Sequence, residues 1–225
     1  MKGDLFSGRH LVRAATGPGM SVENAECLRY AVDGEMYARR GSVVAHRGEL
    51  RFERGGQGVG GMLKRAVTGE GLPLTVVHGQ GEVWLAHGAL NCFVVELEPG
   101  DRFTVGARHV LCFDPSLSYG IRTVKGSGVT AGGLFSSVFS GSGRLGLLCE
   151  GDPLVIPVSA EQPVYAGPDS VIGWSESLET SLHRSRSRGP VLRGGSGEAV
   201  RLMLRGEGVV VVRPSRLTRR DPQQH

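Results

Sequence analysis

The sequence predicts an all-β fold made of three internal repeats of about 60 residues, forming a β-sandwich or barrel-like domain. One spacing of apolar residues occurs three times along the chain, and a Gly-x-Gly pattern follows each occurrence. Glycine accounts for 36 of the 225 residues, as expected where many tight turns join short strands. Helical periodicity is weak throughout, which favours strands over helices. We expect the three repeats to form one domain over residues 1–225.

The first pattern is a run of two aliphatic residues, a small residue and a ring. It occurs at Val43–His46, Val110–Phe113 and Val171–Trp174. An apolar stretch precedes each run, separated from it by four residues, at Met36–Ala38, Phe103–Val105 and Val164–Ala166. His46 occupies the ring position of the first run, so we interpret it as a side chain that fills a packed site. Agreement in register predicts equivalent strands in the three copies.

The second pattern is the Gly-x-Gly itself, which lies between an apolar run and an alternating one. It occurs at residues 79–81, 141–143 and 206–208. Such a pattern is typical of a β-hairpin or a β-bulge. Alternating runs at residues 28–32, 93–97 and 154–158 open the three copies. We therefore predict repeat units at residues 26–86, 91–148 and 152–212, followed by a basic, disordered tail at residues 213–225.

A loop separates the two patterns in every copy, and insertions at one place in each repeat are typical of a binding face. The loops lie at residues 55–71, 125–133 and 183–197. The first loop contains the candidate partner-binding residues Gly60, Gly61, Met62, Leu63, Lys64 and Arg65. The third loop contains Arg184, Arg186 and Arg188, which are candidate contacts to an anion or to RNA phosphates.

Motifs for catalysis and metal binding are missing from the sequence. The glycines of residues 55–61 lack the lysine and hydroxyl that a phosphate loop requires, and the seven histidines show no metal-ligand spacing. The four cysteines have no CxxC spacing, and no apolar run reaches the roughly 18 residues of a transmembrane helix. We predict no catalytic residue, no cofactor and no metal, and we expect a reduced chain in the cytoplasm.

Residues 60–70 (GGMLKRAVTGE), 78–86 (HGQGEVWLA) and 134–143 (LFSSVFSGSG) resemble a bacterial and fungal family. It is named after a yeast "altered inheritance of mitochondria" protein and was long described as a domain of unknown function. The resemblance implies an all-β fold similar to that of the tryptophan RNA-binding attenuation protein, with internal repeats and a tendency to oligomerise. It implies no catalytic residues.

Three functional hypotheses follow. The first is a non-enzymatic, homo-oligomeric binding or scaffold protein that acts through its inter-strand loops, with a protein partner at the first loop. The second is RNA binding, which rests on the analogy of fold and on a mild net charge of +4. The third is a metal-dependent enzyme on a cupin-like fold.

Overall fold

The computed structural model describes residues 17–54, 72–123, 135–186 and 198–214, together with residues 3, 8 and 10–12. These residues form sixteen β-strands and two short 3-10 turns, at Ala107–His109 and Pro168–Ser170. The strands are β1 (Gly19–Asn24), β2 (Cys27–Arg39), β3 (Val43–Arg54), β4 (Leu74–Leu85), β5 (Asn91–Leu97), β6 (Arg102–Gly106), β7 (Val110–Phe113), β8 (Ser118–Thr123), β9 (Phe135–Ser140), β10 (Gly143–Cys149), β11 (Leu154–Val158), β12 (Val164–Ala166), β13 (Val171–Ser175), β14 (Glu179–Arg186), β15 (Glu198–Arg205) and β16 (Gly208–Val212). The all-β prediction is confirmed.

The strands form three antiparallel sheets. The first has the order β3-β4-β2-β7-β10-β5, with β1 added beside β2. The second has the order β11-β16-β13-β6-β9-β8, and the third has the order β12-β15-β14. None of these sheets closes on itself within the described residues, so the architecture is one of packed open sheets rather than a closed barrel.

Strand pairing follows one order in the three predicted units, which we call the first, second and third segments. In the second segment β5 pairs with β10, β10 with β7, β6 with β9 and β9 with β8. In the third, β11 pairs with β16, β16 with β13, β12 with β15 and β15 with β14. In the first, the long strand β4 pairs with β2 on one side and with β3 on the other. Each of these long strands corresponds to two shorter strands of the later segments. The equivalence of the segments in space stays a prediction.

The Gly-x-Gly patterns, for which a hairpin or a bulge is predicted, do not form hairpins. In the second segment β9 and β10 flank residues 141–142 but pair with strands of different sheets, and β15 and β16 flank residues 206–207 in the same way. Gly79, Gly141 and Gly206 have φ angles of +122°, +112° and +122°, a conformation that glycine adopts without steric cost. At Gly141 and Gly206 the chain bends and passes to the next sheet, whereas Gly79 lies within the continuous strand β4.

Two backbone junctions join the segments. At the first junction, β2 pairs with β7, with Tyr37 opposite Phe113 and Ala38 opposite Cys112. At the second junction, β6 pairs with β13, with residue 104 opposite residue 174 and residue 105 opposite residue 173. In each junction, a strand near the start of one segment, which we call its early strand, pairs with the strand that contains the apolar run of the next segment.

Packing follows these junctions. The core of the first segment includes Leu111 and Cys112 from the second, and the core of the second includes Ile172 from the third. The third core cluster consists only of residues from its own segment, between residues 158 and 212. Each of the first two cores is therefore completed by the segment that follows it.

The ring of the first apolar run is not packed as predicted. Phe113 and Trp174 are 1% and 7% exposed, whereas His46 is exposed and its ring lies 4.9 Å from that of Phe52. No strand of the described residues lies beside His46 on the side away from β4. The spacing identifies the position correctly, but the neighbour that would bury it is missing.

Candidate interaction surfaces

The three predicted loops each connect two strands that pair with one another. The connections join β3 to β4, β8 to β9 and β14 to β15, and each of these hairpins stands at the end of a different sheet. Arg54 is opposite Thr75, Thr123 is opposite Phe135, and residue 186 is opposite residue 198 at the last described pairs. Every sheet therefore presents one loop at one of its edges.

Most of the candidate loop residues lie outside the described part of the chain. Gly60, Gly61, Met62, Leu63, Lys64 and Arg65 all fall there, as does Arg188. Arg184 and Arg186 belong to the edge strand β14, opposite Val200 and Glu198. The structure thus places two of the three candidate arginines on a paired strand rather than in the loop.

A cavity of about 660 Å³ lies between the second and third segments. Apolar side chains of Val95, Val155 and Val209 line it, together with an ion pair between Arg102 and Glu176. Val155 is 61% exposed, so the cavity opens to solvent as a groove. A ligand there would meet one apolar wall and one charged rim.

A network of ion pairs connects the strands of the first segment. Glu82 is 8% exposed and forms ion pairs with Arg29, at 3.6 Å, and with Arg47. Arg29 also approaches Glu23 of β1 at 3.7 Å, and the Arg47 guanidinium lies over the Trp84 ring. Because each buried charge has an opposite charge beside it, the network is explained by structure without a ligand.

A second polar cluster surrounds His109 near the boundary of the second and third segments. His109 Nδ1 lies 3.0 Å from the Leu148 carbonyl oxygen, and Arg108 Nε donates to His109 Nε2 at 3.0 Å. Burial, together with the charges of Arg108, Arg213 and Arg39, lowers the pKa of His109 to about 4, although the contact with the Leu148 carbonyl opposes this shift. The imidazole is therefore neutral at physiological pH, with its proton on Nδ1.

Arg213 is the most buried arginine of this cluster, with its side chain 3% exposed. One of its nitrogens, Nη1, lies 3.5 Å from Glu150, and its backbone N–H donates to the Ser170 carbonyl. Its Nε and Nη2 atoms have no hydrogen-bond partner among the described residues. The tail predicted from residue 213 therefore begins with a side chain inside the fold, and residues 215–225 lie outside the described part.

The cysteines are poorly suited to nucleophilic chemistry. Burial raises the pKa of all four thiols, to about 11 for Cys92 and well above the ordinary value for the fully enclosed Cys112. The thiol, not the reactive thiolate, is the dominant form at neutral pH. In the ranges that the structure covers, no three histidine, cysteine or acidic side chains come together as metal ligands.

The sequence profile of the family described as "Mitochondrial biogenesis AIM24" matches residues 23–215, which is most of the chain. This chain belongs to that family. The match spans all three segments, so AIM24 membership describes the whole β-array and not one part of it.

The AIM24 fold is also seen in a solved structure. The crystal structure of protein SPYM3_0169 from Streptococcus pyogenes has a TM-score of 0.69 and 22% sequence identity, covering 88% of this chain and 93% of that one. At this identity the likeness shows the fold alone. No curated protein matches the chain significantly. The predicted likeness to the tryptophan RNA-binding attenuation protein stays a prediction.

Among the described residues of this AIM24 chain, no helix is long and apolar enough to cross a membrane. The cytoplasmic location stays a prediction. The sequence reasoning missed the clusters around Glu82 and His109, because their members are far apart in the chain. The available signal is that Arg213 directly follows the apolar run Val209–Val212.

Proposed function

We propose that the protein is a non-enzymatic, oligomeric binding or scaffold module that acts through its three inter-strand loops. The observation that carries this proposal is the placement of one hairpin connection at the end of each of the three sheets. Rigid sheets then hold the loops, which is how many binding proteins present variable segments. A homo-oligomer repeats the set of loops in every copy.

Several buried polar groups are held by contacts within the fold. His109 has a donor and an acceptor partner, and the Tyr30 hydroxyl donates to Asp114 Oδ1 at 2.7 Å. Asp114 Oδ2 accepts from the backbone N–H of Arg144 within the second segment, so the Tyr30–Asp114 bond ties the first segment to the second. These groups stabilise the fold, and each is already occupied by a protein partner.

The test begins with the purified full-length chain in multi-angle light scattering, where discrete oligomers are expected. Deletion of residues 60–70 is then expected to remove partners that the intact protein captures from its native host. Deletion of residues 125–133, another glycine-rich connection, is then expected to show what the second loop contributes to the same capture. Mass spectrometry of captured proteins and small molecules identifies the partner.

A monomer whose captured partners are unchanged by the first deletion would contradict the proposal. A salt-sensitive shift with random RNA, lost when Arg184, Arg186 and Arg188 are all replaced by alanine, would favour the RNA-binding alternative instead. Stoichiometric metal in the purified protein would favour the metal-dependent enzyme.

A further inference from the structure

We propose that β12 of one copy pairs with the first residues of β3 in a second copy, so that the chains join head to tail. This rests on the proposed function, because it names the surface through which the oligomer forms. It reproduces between two chains the junction that already occurs twice within one chain.

The two internal junctions follow one rule. The early strand of a segment pairs with the apolar run of the next segment, which is β2 with β7 and then β6 with β13. The third segment has its own early strand, β12, which pairs with β15 on one side only. The first segment has its own apolar run, Val43–His46, which pairs with β4 on one side only. Within the described residues, both strands lack the neighbour that their counterparts have.

A bulge shows where the missing contact would fall. The pairing register shifts at Val44 in β3, at Leu111 in β7 and at Ile172 in β13, which are corresponding positions in the three segments. Leu111 packs into the core of the first segment and Ile172 into the core of the second. Within the part of the chain that the structure describes, the core of the third segment receives no such side chain. The bulge therefore directs one aliphatic side chain into the core of the preceding segment. Val44 belongs to the first segment, so it has no preceding segment into which to pack.

Exposure separates the open strands from the closed junctions. Val44 is 61% exposed, whereas Leu111 and Ile172 are 0% and 2% exposed. Tyr165 of β12 is 51% exposed, whereas its counterpart Tyr37 is 9% exposed. Val44 and Tyr165 are thus left in solvent at positions whose counterparts are buried at both internal junctions. A second copy would cover both at once.

The register of the proposed contact follows from the internal ones. Ala38 opposite Cys112 predicts Ala166 opposite Ala45 of the second copy. Tyr37 opposite Phe113, whose rings stack at 5.0 Å, predicts Tyr165 opposite His46. The exposed ring of His46 would then occupy a packed site of the kind its spacing predicts.

The two surfaces differ from one another, so the contact is heterologous. Each copy offers β12 to one neighbour and β3 to the other, and the series ends only when a ring closes. A copy with one damaged surface can still use its intact one, which gives the proposal a direct test.

The experiment uses two exposed substitutions in the full chain, Val44→Asp and Tyr165→Asp, each measured by light scattering. Both side chains lie largely in solvent, so each variant is expected to keep its fold, which circular dichroism and thermal melting verify. Each variant alone is expected to lose the oligomer and to run as a monomer. An equimolar mixture is expected to give a one-to-one dimer and nothing larger, because only one intact pair of surfaces remains. Val155→Asp is the matched control, since Val155 is also 61% exposed and lies on an edge strand, and it should keep the oligomer.

Oligomers that persist in both single variants would overturn this proposal and leave the oligomeric binding module standing. A wild-type chain that is monomeric at all concentrations would overturn both. Two monomeric variants whose mixture stays monomeric would also overturn it, because a head-to-tail contact requires the intact surfaces to meet.

Discussion

Protonation of His109 should destabilise the fold in a defined range of pH. The folded pKa of about 4 lies below the ordinary histidine value of 6.5, so the unfolded chain binds more protons between these values. The stability that His109 provides is therefore complete above pH 6.5 and is lost as the pH falls towards 4. The main cause is burial, since a proton on Nε2 would place a cation inside the fold, and this cation would also lie beside Arg108, which now donates to Nε2, and near Arg213 and Arg39.

The size of the effect follows from the shift. One pKa unit corresponds to about 1.4 kcal/mol, so a displacement from 6.5 to about 4 gives about 3 kcal/mol in full. Between about pH 7.5 and pH 4.5, the free energy of unfolding should fall by about 2.5 kcal/mol through this group alone. His109 is only 6% exposed, so solvent screens it little.

The assay compares urea unfolding of the wild type and of His109→Gln across this range. Glutamine can donate to the Leu148 carbonyl and accept from Arg108, but it does not titrate. Carboxylates titrate in both proteins, so their contribution cancels in the difference between the two profiles. Parallel profiles, with the same loss of stability on acidification, would refute the assignment of this loss to His109.

Two further predictions concern backbone geometry and the thiols. Gly34→Ala should cost about 1–2 kcal/mol, because φ is +105° but the space is open, whereas Gly79→Ala should cost at least about 3 kcal/mol, because φ is +122° and the new Cβ would lie 2.0 Å from the Glu49 carbonyl oxygen. Equal losses of unfolding free energy in the two variants, measured by chemical denaturation, would contradict this account of the close approach of β3 and β4 at Gly79. With a thiol reagent at neutral pH, half-buried Cys27 should react first, while buried Cys92 and Cys112 should react only as fast as the protein unfolds. Similar rates for all of them in the native protein would show that burial does not protect the thiols.

The sequence predicted the strands well where side-chain burial alone determines the pattern. Val110 and Val171 are 0% and 6% exposed, as matched apolar runs require. The pattern left a hairpin and a bulge open at the Gly-x-Gly positions, because it could not show to which sheet each strand belongs. Spacing records which side chains avoid water, whereas a bend at Gly141 or Gly206 changes the strand's partners without changing the spacing.

The sites were less predictable than the strands for a related reason. Glu82 and Arg29 are 53 positions apart in the chain but form a buried ion pair, and only the pairing of β2 with β4 brings them together. Tyr30 and Asp114 meet in the same way across 84 positions. Local motifs cannot encode such contacts, because residues such as Glu82, Arg29 and Asp114 belong to types that usually lie on the surface.

Head-to-tail assembly would change what the loops can do. One copy presents three hairpin connections on three sheets, and a ring of copies multiplies that number on a rigid frame. A loop whose individual contacts are weak then gains from the high local concentration of its neighbours, and avidity can exceed a single affinity by about 100-fold or more. The two proposals are therefore linked in one direction. Val44→Asp should weaken binding of a multivalent partner even though residue 44 lies outside the loops, whereas deletion of residues 60–70 should leave the assembly intact.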